Sequence, residues 1–294
     1  MDTSIDVASS IVLIGALTLA LGAYVVASLG AGRALITSRV EREAPLPLVG
    51  KAPMHAVYRA LGPVGRCLVA FGVSANAVSV SALVIAFVAA IAFATGHFGL
   101  GALIAVVSSL ADALDGLVAR LTGTQSRVGQ VLDTTVDRYV DALLLGGIGM
   151  FVRSEAILLA LSIGAIVGSF MVSYASSVER ELAVSVAPST MRRAHRLAYL
   201  LVAAAAAPLV GGAFSDPRME LLPIFLAVGA IALAGNVSAF RRLLAAGRVA
   251  AARESAPESG PRLGDAEEEV SGSASAPPAT VVREEVRRVS GARR

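Results

Sequence analysis

The sequence predicts an all-α protein, a polytopic bundle of helices that crosses a membrane several times. Hydrophobic residues make up 55% of the 294 residues, and the mean hydropathy is +0.72, values typical of membrane proteins and too high for a soluble domain. Seven apolar runs, each long enough to cross about 30 Å of hydrocarbon, are separated by short polar breaks. Basic residues collect in alternate breaks, so the positive-inside rule places the N-terminus outside and the C-terminus in the cytoplasm.

The first apolar run covers residues 9–31 and carries almost no charge. Asp2 and Asp6 precede it, whereas no arginine or lysine does, which is the wrong flank for a cleaved signal peptide. We therefore expect residues 1–31 to be a retained N-terminal transmembrane helix, with a signal peptide as the alternative.

Residues 32–75 are predicted to be a cytoplasmic linker followed by a helix on the membrane surface. From Met54 to Phe71, apolar residues alternate with arginines at roughly helical spacing, which is typical of an amphipathic surface helix. A solvated connector is the alternative. The basic residues that place this segment inside are Arg33, Arg39, Arg42, Lys51, Arg59 and Arg66.

Residues 76–245 hold the remaining six apolar runs and are predicted to form a six-helix membrane domain. The runs cover about 76–95, 99–121, 127–151, 156–178, 195–214 and 219–240. Beyond residue 245 the composition shifts toward Pro, Ser, Gly, Glu and Arg. That segment has too little apolar surface to offset the entropy of ordering, so residues 246–294 are predicted to be a disordered cytoplasmic tail.

Four aspartates stand at the edges of two of these runs, in a chain with only 16% charged residues. A polar break at residues 123–126 would join the two helices as a hairpin and bring two acidic faces together. Residues at i, i+3, i+4 and i+7 share one face of a helix. The two faces consist of Asp112, Asp115 and Ala119 on one helix, and of Gly129, Asp133 and Asp137 on the other.

Converging carboxylates at low dielectric repel each other unless a positive charge lies between them. Carboxylate oxygens suit Mg²⁺, Mn²⁺ or Ca²⁺, and a two-metal site would suit transfer of a phosphoryl-type group. Gly116, Ala119 and Gly129 keep the acidic faces free of bulk, and Arg120 offers donors suited to phosphate. The alternative is a set of polar residues near the membrane surface that pair with neighbouring arginines.

The pattern D-x-x-D-G-x-x-A-R-x8-G-x-x-x-D-x-x-x-D, from Asp112 to Asp137, resembles the signature of the CDP-alcohol phosphotransferase (CDP-alcohol phosphatidyltransferase) family at every fixed position. These integral membrane enzymes move a substituted phosphate from a CDP-linked donor to an alcohol and release CMP. The wider resemblance, in hydropathy and helix order, covers about residues 50–245. It implies a six-helix core to which this chain adds one N-terminal transmembrane helix.

The resemblance also implies roles for single residues. Mg²⁺ or Mn²⁺, as two ions, would be held by Asp112, Asp115, Asp133 and Asp137, and Asp137 would take the proton from the acceptor hydroxyl. The CDP moiety would be held by Gly116, Ala119, Arg120 and Gly129. Asn76 matches a position where the family often has Pro-Asn, although Ala75 replaces the proline here, and an ordinary polar helix start is the alternative.

The acceptor is less well defined by the sequence. Arg193-Ala-His-Arg196 resembles the R-x-x-R of members with phosphorylated acceptors, such as the phosphatidylinositol phosphate synthases, and paired arginines suit a phosphate. A topogenic arginine cluster is the alternative. The basic residues of that subgroup after Ser173-Tyr174 are absent, with Arg180 as the nearest substitute. Inositol phosphate and unphosphorylated alcohols such as serine therefore both remain open.

The resemblance further implies a lipid donor of the CDP-diacylglycerol type, a role in phospholipid biosynthesis, a homodimer and a bacterial inner membrane. The charge alternation of the polar breaks places the acidic hairpin, and with it the active site, at the cytoplasmic face. The rival interpretation is an intramembrane divalent-cation transporter whose acids bind the ion it carries, although no broken helix or inverted repeat supports it. The sequence contains no zinc-type Cys/His cluster and resembles no nucleic-acid module. Asp141 lies one turn beyond Asp137, outside the signature, and is expected to pair with a polar neighbour rather than bind metal.

Overall fold

The computed structural model describes residues 3–30, 52–184, 191–214 and 217–255. These residues form eight helices and no strand, which confirms the all-α prediction. The helices are α1 (Thr3–Gly30), α2 (Ala52–Ala70), α3 (Ala75–Ala94), α4 (Phe98–Thr122), α5 (Arg127–Phe151), α6 (Ala156–Glu181), α7 (Arg193–Phe214) and α8 (Pro217–Glu254). The chain divides into two compact units at residue 249, and the sites described below lie in Met1–Val249.

Among the described helices, α3, α4, α6, α7 and α8 are long and apolar enough to cross a membrane. In α1, the stretch Ser4–Leu19 is a shorter apolar segment. Helix α5 is 25 residues long but is excluded from this group by its charged residues. These are Arg127, Asp133, Asp137, Arg138 and Asp141.

The hairpin predicted at residues 123–126 is present, and local hydrogen bonds define both its ends. Helix α4 ends at Gly123, whose φ of 67° lies in the left-handed region that favours glycine. Helix α5 begins after Ser126, whose Oγ accepts a hydrogen bond from the Gly129 amide at 3.0 Å. The short loop between them sets the ends of α4 and α5 side by side.

Helix α3 packs closely against both α4 and α5. Small residues allow this approach: a Cβ on Gly147 of α5 would collide with the backbone carbonyl of Ala90 on α3. Larger side chains fill the core beside them, where the rings of Phe98 and Phe151 meet edge to face with centroids 5.0 Å apart. The helices that carry the acidic residues are therefore held by a shared neighbour.

Helix α1 packs on the first turn of α4 through a buried carboxylate. The Asp6 side chain, 3% exposed, accepts a hydrogen bond from the Leu100 amide at 3.1 Å and lies 2.8 Å from Nδ1 of His97. A Cβ on Gly99 would clash with the Asp6 carbonyl oxygen. The additional N-terminal helix is therefore an integral part of the bundle.

The predicted surface helix and the predicted end of the membrane domain can both be compared with the structure. Helix α2 forms where a surface helix is predicted, and its Leu61 is buried with Val78 and Leu114; its position at the membrane surface stays a prediction. Helix α8 continues to Glu254, past the predicted boundary at residue 245, because alanine and arginine are strong helix formers. Residues 31–51 and 256–294, which hold most of the predicted linker and tail, lie outside the described residues.

Candidate metal and substrate site

Three aspartates from the two arms of the hairpin converge. Asp112 of α4 and Asp133 and Asp137 of α5 each offer a carboxylate oxygen, and these oxygens lie within 4.8 Å of one another. We call these three residues the carboxylate cluster. The two predicted acidic faces therefore meet, and an all-oxygen donor set of this kind suits a divalent metal.

Asp115, the fourth aspartate of the sequence pattern, lies beside this cluster but makes a different contact. Its side chain is buried, and Oδ2 accepts a hydrogen bond from Ser79 Oγ of α3 at 2.5 Å. Its carboxylate is close enough to Asp112 and Asp133 for their charges to interact. Asp115 is thus fixed by α3 at the edge of the site.

Arg193, the first residue of α7, lies between two members of the carboxylate cluster. Its Nη1 is 3.0 Å from Oδ2 of Asp112 and 2.6 Å from Oδ1 of Asp137. The other oxygen of Asp112, Oδ1, is buried without a hydrogen-bond partner among the described residues. A buried carboxylate oxygen without a described hydrogen-bond partner, beside two further carboxylates, fits a ligand of a divalent cation.

Asp141 pairs with Arg196, as expected for an acid outside the signature. Arg196 Nη2 lies 2.6 Å from Asp141 Oδ2, and Nη1 donates to the Met191 carbonyl at 3.1 Å. Arg196 is only 5% exposed. Both of its described contacts fix the guanidinium in one orientation, which suits a residue that must present donors to a ligand.

A cavity of about 440 Å³ opens next to the carboxylate cluster, and Asp137 and Arg193 line both. We call it the arginine-lined cavity. Its basic lining residues are Arg138, Arg180, Arg192, Arg193, Arg196 and Arg242. Asp141, Thr134, Ser173, Ser176 and Val172 complete the wall. Such a concentration of guanidinium groups fits an anionic ligand, above all a phosphate.

Arg242 of α8 is a cavity residue that the sequence analysis did not identify. It forms a two-point ion pair with Glu179 of α6, at 2.9 Å from Nε and 2.5 Å from Nη2, and it also donates to Ser176 Oγ at 3.1 Å. In the sequence it is one of several arginines after the last apolar run, and no spacing relates it to α6. Arg180, the expected substitute, donates to the Ser176 carbonyl and to Ser177 Oγ.

The residues expected near the CDP moiety lie on α3, α4 and α5. A Cβ on Gly129 would lie 3.3 Å from Ser126 Oγ and 3.8 Å from Asn76 Oδ1, so the structure brings Asn76 of α3 next to Gly129. Gly116 and Ala119 are half-buried on α4, and Arg120 is exposed on the same helix. The two helices that carry the carboxylate cluster therefore also carry small residues and an exposed guanidinium.

Fold and site together fit a polytopic membrane enzyme with a phosphate-bearing substrate and a divalent metal. Residues 72–248 match the family model of CDP-alcohol phosphatidyltransferase, and the chain belongs to this family. The protein is therefore an integral membrane transferase that moves a substituted phosphate from a CDP-linked donor to an alcohol. The family match confirms the resemblance seen in the signature and sets aside the transporter interpretation.

Relatives of known name agree with this placement. The chain is 32% identical to the phosphatidylinositol phosphate synthase of Streptomyces avermitilis, over 73% of this chain and 93% of that protein. It is 35% identical to the archaetidylinositol phosphate synthase of Pyrococcus horikoshii, over 50% of this chain and 77% of that protein.

Solved structures show the same fold. The Mycobacterium tuberculosis phosphatidylinositol phosphate synthase with CDP-DAG bound superposes with a TM-score of 0.56 at 24% identity, over 64% of this chain and 94% of that chain. The same enzyme in complex with manganese and citrate gives a TM-score of 0.55 at 22% identity, over 63% of this chain and 88% of that one.

Proposed function

We propose that the protein transfers a phosphatidyl group from CDP-diacylglycerol to inositol phosphate, releasing CMP, as a step in phospholipid biosynthesis. The main observation in support of this proposal is that the arginine-lined cavity lies beside the carboxylate cluster. Asp137 belongs to the cluster and lines the cavity, and Arg193 lines the cavity and contacts the cluster. Relatives named for inositol phosphate products support the acceptor. The solved relative with CDP-DAG bound supports the lipid donor.

In this proposal Asp112, Asp133 and Asp137 hold Mg²⁺ or Mn²⁺, with Asp115 completing a two-ion site. Three oxygen donors within 4.8 Å and the buried, unpartnered Oδ1 of Asp112 support it. When bound, the ions would stabilise negative charge on the transferred phosphate and on the departing CMP.

Asp137 is the proposed general base, because it lies where the carboxylate cluster meets the cavity. Its carboxylate would accept the proton of the acceptor hydroxyl as that oxygen forms a bond to the phosphorus of the substituted phosphate. The bridging P–O bond to CMP breaks at the same centre. CMP leaves with the electron pair of that bond.

The acceptor phosphate would be held by Arg196 and Arg193, with Arg242 on the far wall. Arg196 is fixed by Asp141, and Arg242 is fixed by Glu179, so their donors are preorganised for an anion. Ser176 lies where the related subgroup has a basic side chain. Here Ser176 accepts a hydrogen bond from Arg242, which supports a cation from α8 serving that part of the cavity.

The CDP moiety would approach over Gly116, Ala119 and Gly129, with Asn76 and Arg120 as polar contacts. The carboxylate cluster would then lie between the nucleotide side and the arginine-lined cavity. A phosphate carried by the donor would be delivered to an acceptor bound in the cavity.

The acceptor is tested with purified protein, CDP-diacylglycerol and Mg²⁺, by measuring CMP release with inositol phosphate, glycerol phosphate, serine and inositol in parallel. We expect turnover with inositol phosphate and a phosphorylated lipid product. Turnover with serine or free inositol that equals or exceeds turnover with inositol phosphate would remove the proposed acceptor.

We also propose a homodimer in a bacterial inner membrane, with the site open to the cytoplasm where CDP-linked donors are available. The exposed Cys67 of α2 is the sole cysteine in the sequence and gives a direct test of orientation. A membrane-impermeant maleimide should label it only after cells are opened. Labelling of intact cells would place this face outside, and light scattering of the detergent-purified protein would give the oligomeric state.

A further inference from the structure

One cation of the protein occupies the space between two of the proposed metal ligands. The same atom, Nη1 of Arg193, lies 3.0 Å from Asp112 and 2.6 Å from Asp137. One guanidinium thus contacts two members of the carboxylate cluster. It therefore neutralises, at least in part, the charge that a divalent ion would neutralise.

Arg193 and a divalent ion cannot both occupy this space. Carboxylate ligands lie about 2.0–2.1 Å from Mg²⁺, which leaves no room for a guanidinium between the same two oxygens. Two positive centres this close at reduced dielectric would also repel strongly. A divalent ion that binds Oδ2 of Asp112 and Oδ1 of Asp137 therefore requires the Arg193 side chain to leave both residues.

The open direction for Arg193 is the arginine-lined cavity. The Arg193 side chain is 25% exposed, and it already forms part of the cavity wall. Its Nε lies 3.7 Å from Asp141 Oδ1, a cavity carboxylate that is already paired with Arg196. When the Arg193 guanidinium turns toward the cavity, the carboxylate that it approaches is Asp141, which is already paired with Arg196. An anion that enters the cavity would therefore become the partner of Arg193.

We propose that Arg193 is an internal counter-cation that exchanges between two partners. It pairs with Asp112 and Asp137 when no divalent ion is bound, and with an anionic group in the cavity once an ion has replaced it. The inference rests on the proposed metal and acceptor sites. The exchange couples the metal site to the acceptor site. Metal binding releases Arg193 to the anion, and a bound anion holds Arg193 away from the metal ligands, so each ligand favours binding of the other.

The first test uses the unaltered full-length protein in detergent, with Mn²⁺ as the metal probe and inorganic phosphate as the anion. Free Mn²⁺ is measured by electron paramagnetic resonance, without turnover. Saturating phosphate should lower the Kd for Mn²⁺ by about tenfold, within the usual range of coupling between sites. Equal Mn²⁺ affinity with and without phosphate would overturn the exchange.

The second test separates exchange from direct contact between phosphate and metal. Arg193→Met should lower the Kd for Mn²⁺ by about tenfold in the absence of phosphate, and added phosphate should no longer change it. The matched control is Arg192→Met, which removes the neighbouring cavity arginine, whereas the contacts with Asp112 and Asp137 come from Arg193. Coupling that persists in Arg193→Met, or an equal gain of affinity in Arg192→Met, would overturn the proposal.

Two further variants keep the result interpretable. Arg193→Lys retains a charge, and it should fold and bind Mn²⁺ more weakly than Arg193→Met; equal affinity of these two variants would count against exchange. Asp133→Asn should abolish Mn²⁺ binding. If Mn²⁺ binding survives Asp133→Asn, the proposed metal site fails. If binding is lost there but Arg193→Met leaves the affinity unchanged, only the exchange fails.

Discussion

Asp137 and Asp133 lie one helical turn apart on the same face of α5, yet the structure gives them different neighbours. Both belong to the carboxylate cluster, but only Asp137 also lines the arginine-lined cavity. In the proposed roles, Asp133 binds the metal away from the acceptor and Asp137 binds it beside the acceptor, so the two should fail in different ways when each is changed to asparagine. Separate kinetic tests can therefore distinguish their roles.

Asp133→Asn, like Asp112→Asn, should remove activity with the fold intact. Losing a charge from a shared metal site costs far more than losing an exposed ion pair. Turnover is measured with Mg²⁺ or Mn²⁺, and thermal unfolding in detergent checks the fold. Full turnover of wild-type protein after EDTA treatment would contradict the requirement for metal.

Asp137→Asn should lower kcat by about 10²–10⁴-fold, the usual contribution of a general base. Binding of the CDP donor should remain measurable, because the lost interaction belongs to proton transfer in the transition state. Steady-state kinetics and donor binding to the same preparation check this. A variant with normal kcat would show that another group accepts the proton.

Arg196→Ala should raise KM for a phosphorylated acceptor by roughly 10–100-fold, as expected for loss of charge-assisted hydrogen bonds. KM for the CDP donor should barely change. The paired carboxylate of Asp141 would be left without this partner, so thermal unfolding must be followed in parallel, with Arg196→Lys as the control that retains charge. Unchanged acceptor KM with disturbed membrane insertion would support the topogenic alternative.

Sequence spacing was sufficient to predict the carboxylate cluster but not the identity of all its neighbours. Helical periodicity fixes which residues share a face, so all four aspartates could be grouped once the hairpin was identified. The structure brings Asp112, Asp133 and Asp137 together, whereas Asp115 accepts a hydrogen bond from Ser79 of α3. Periodicity does not state how far a long side chain reaches from another helix. The position of Arg193 between the acids, and the Arg242–Glu179 pair, depend on how α6, α7 and α8 pack.

At the scale of elements, α1 approaches the backbone of α4 closely at Gly99. The backbone of Asp6 approaches Gly99 so closely that a side chain cannot fit there, and the Asp6 carboxylate occupies the first turn of α4. From the sequence, Asp6 could be identified only as an acidic residue that precedes an apolar run. Its burial could not be predicted, because it follows from a contact between residues far apart in the chain.

Gly99→Ala should therefore lower the thermal stability of the protein, with a cost of about 1–3 kcal/mol, as is usual for overpacking. Gly146→Ala is the matched control, since a Cβ there meets nothing within 4 Å and alanine favours a helix interior over glycine. Thermal unfolding of both variants in the same detergent makes the comparison. Equal melting temperatures would show that α1 can shift at little cost.

For the whole molecule, hydropathy and charge alternation were enough to predict the bundle and its hairpin. The predicted runs coincide with α3 to α8 within a few residues at most ends. The exception is α8, which continues beyond the predicted end of its apolar run. Its last turns contain arginines among alanines, and the arginines lower the hydropathy, so a hydropathy pattern ends the membrane span before them. Hydropathy reports preference for lipid, whereas helix formation continues wherever the backbone propensity allows it.

A chain that stops after Ser255 should keep its melting temperature and its turnover. The composition of residues 256–294 offers too little apolar surface to pack on a core. Both quantities are measured on the shortened and full-length proteins in the same detergent. A large loss of either would show that this segment contributes to the folded enzyme.

Charges on α5 have a consequence for how the protein is made. On the scale of translocon insertion, an aspartate or arginine at the middle of a helix costs about 2.5–3.5 kcal/mol, and α5 carries Asp137 and Arg138 near its middle. On its own, such a segment would enter the bilayer less favourably than an apolar segment without charges. Stable insertion of α5 would then require that α3 and α4, which are synthesised first, are already in the bilayer beside it. The helix that carries most of the carboxylate cluster is thus the one whose biogenesis relies on its predecessors.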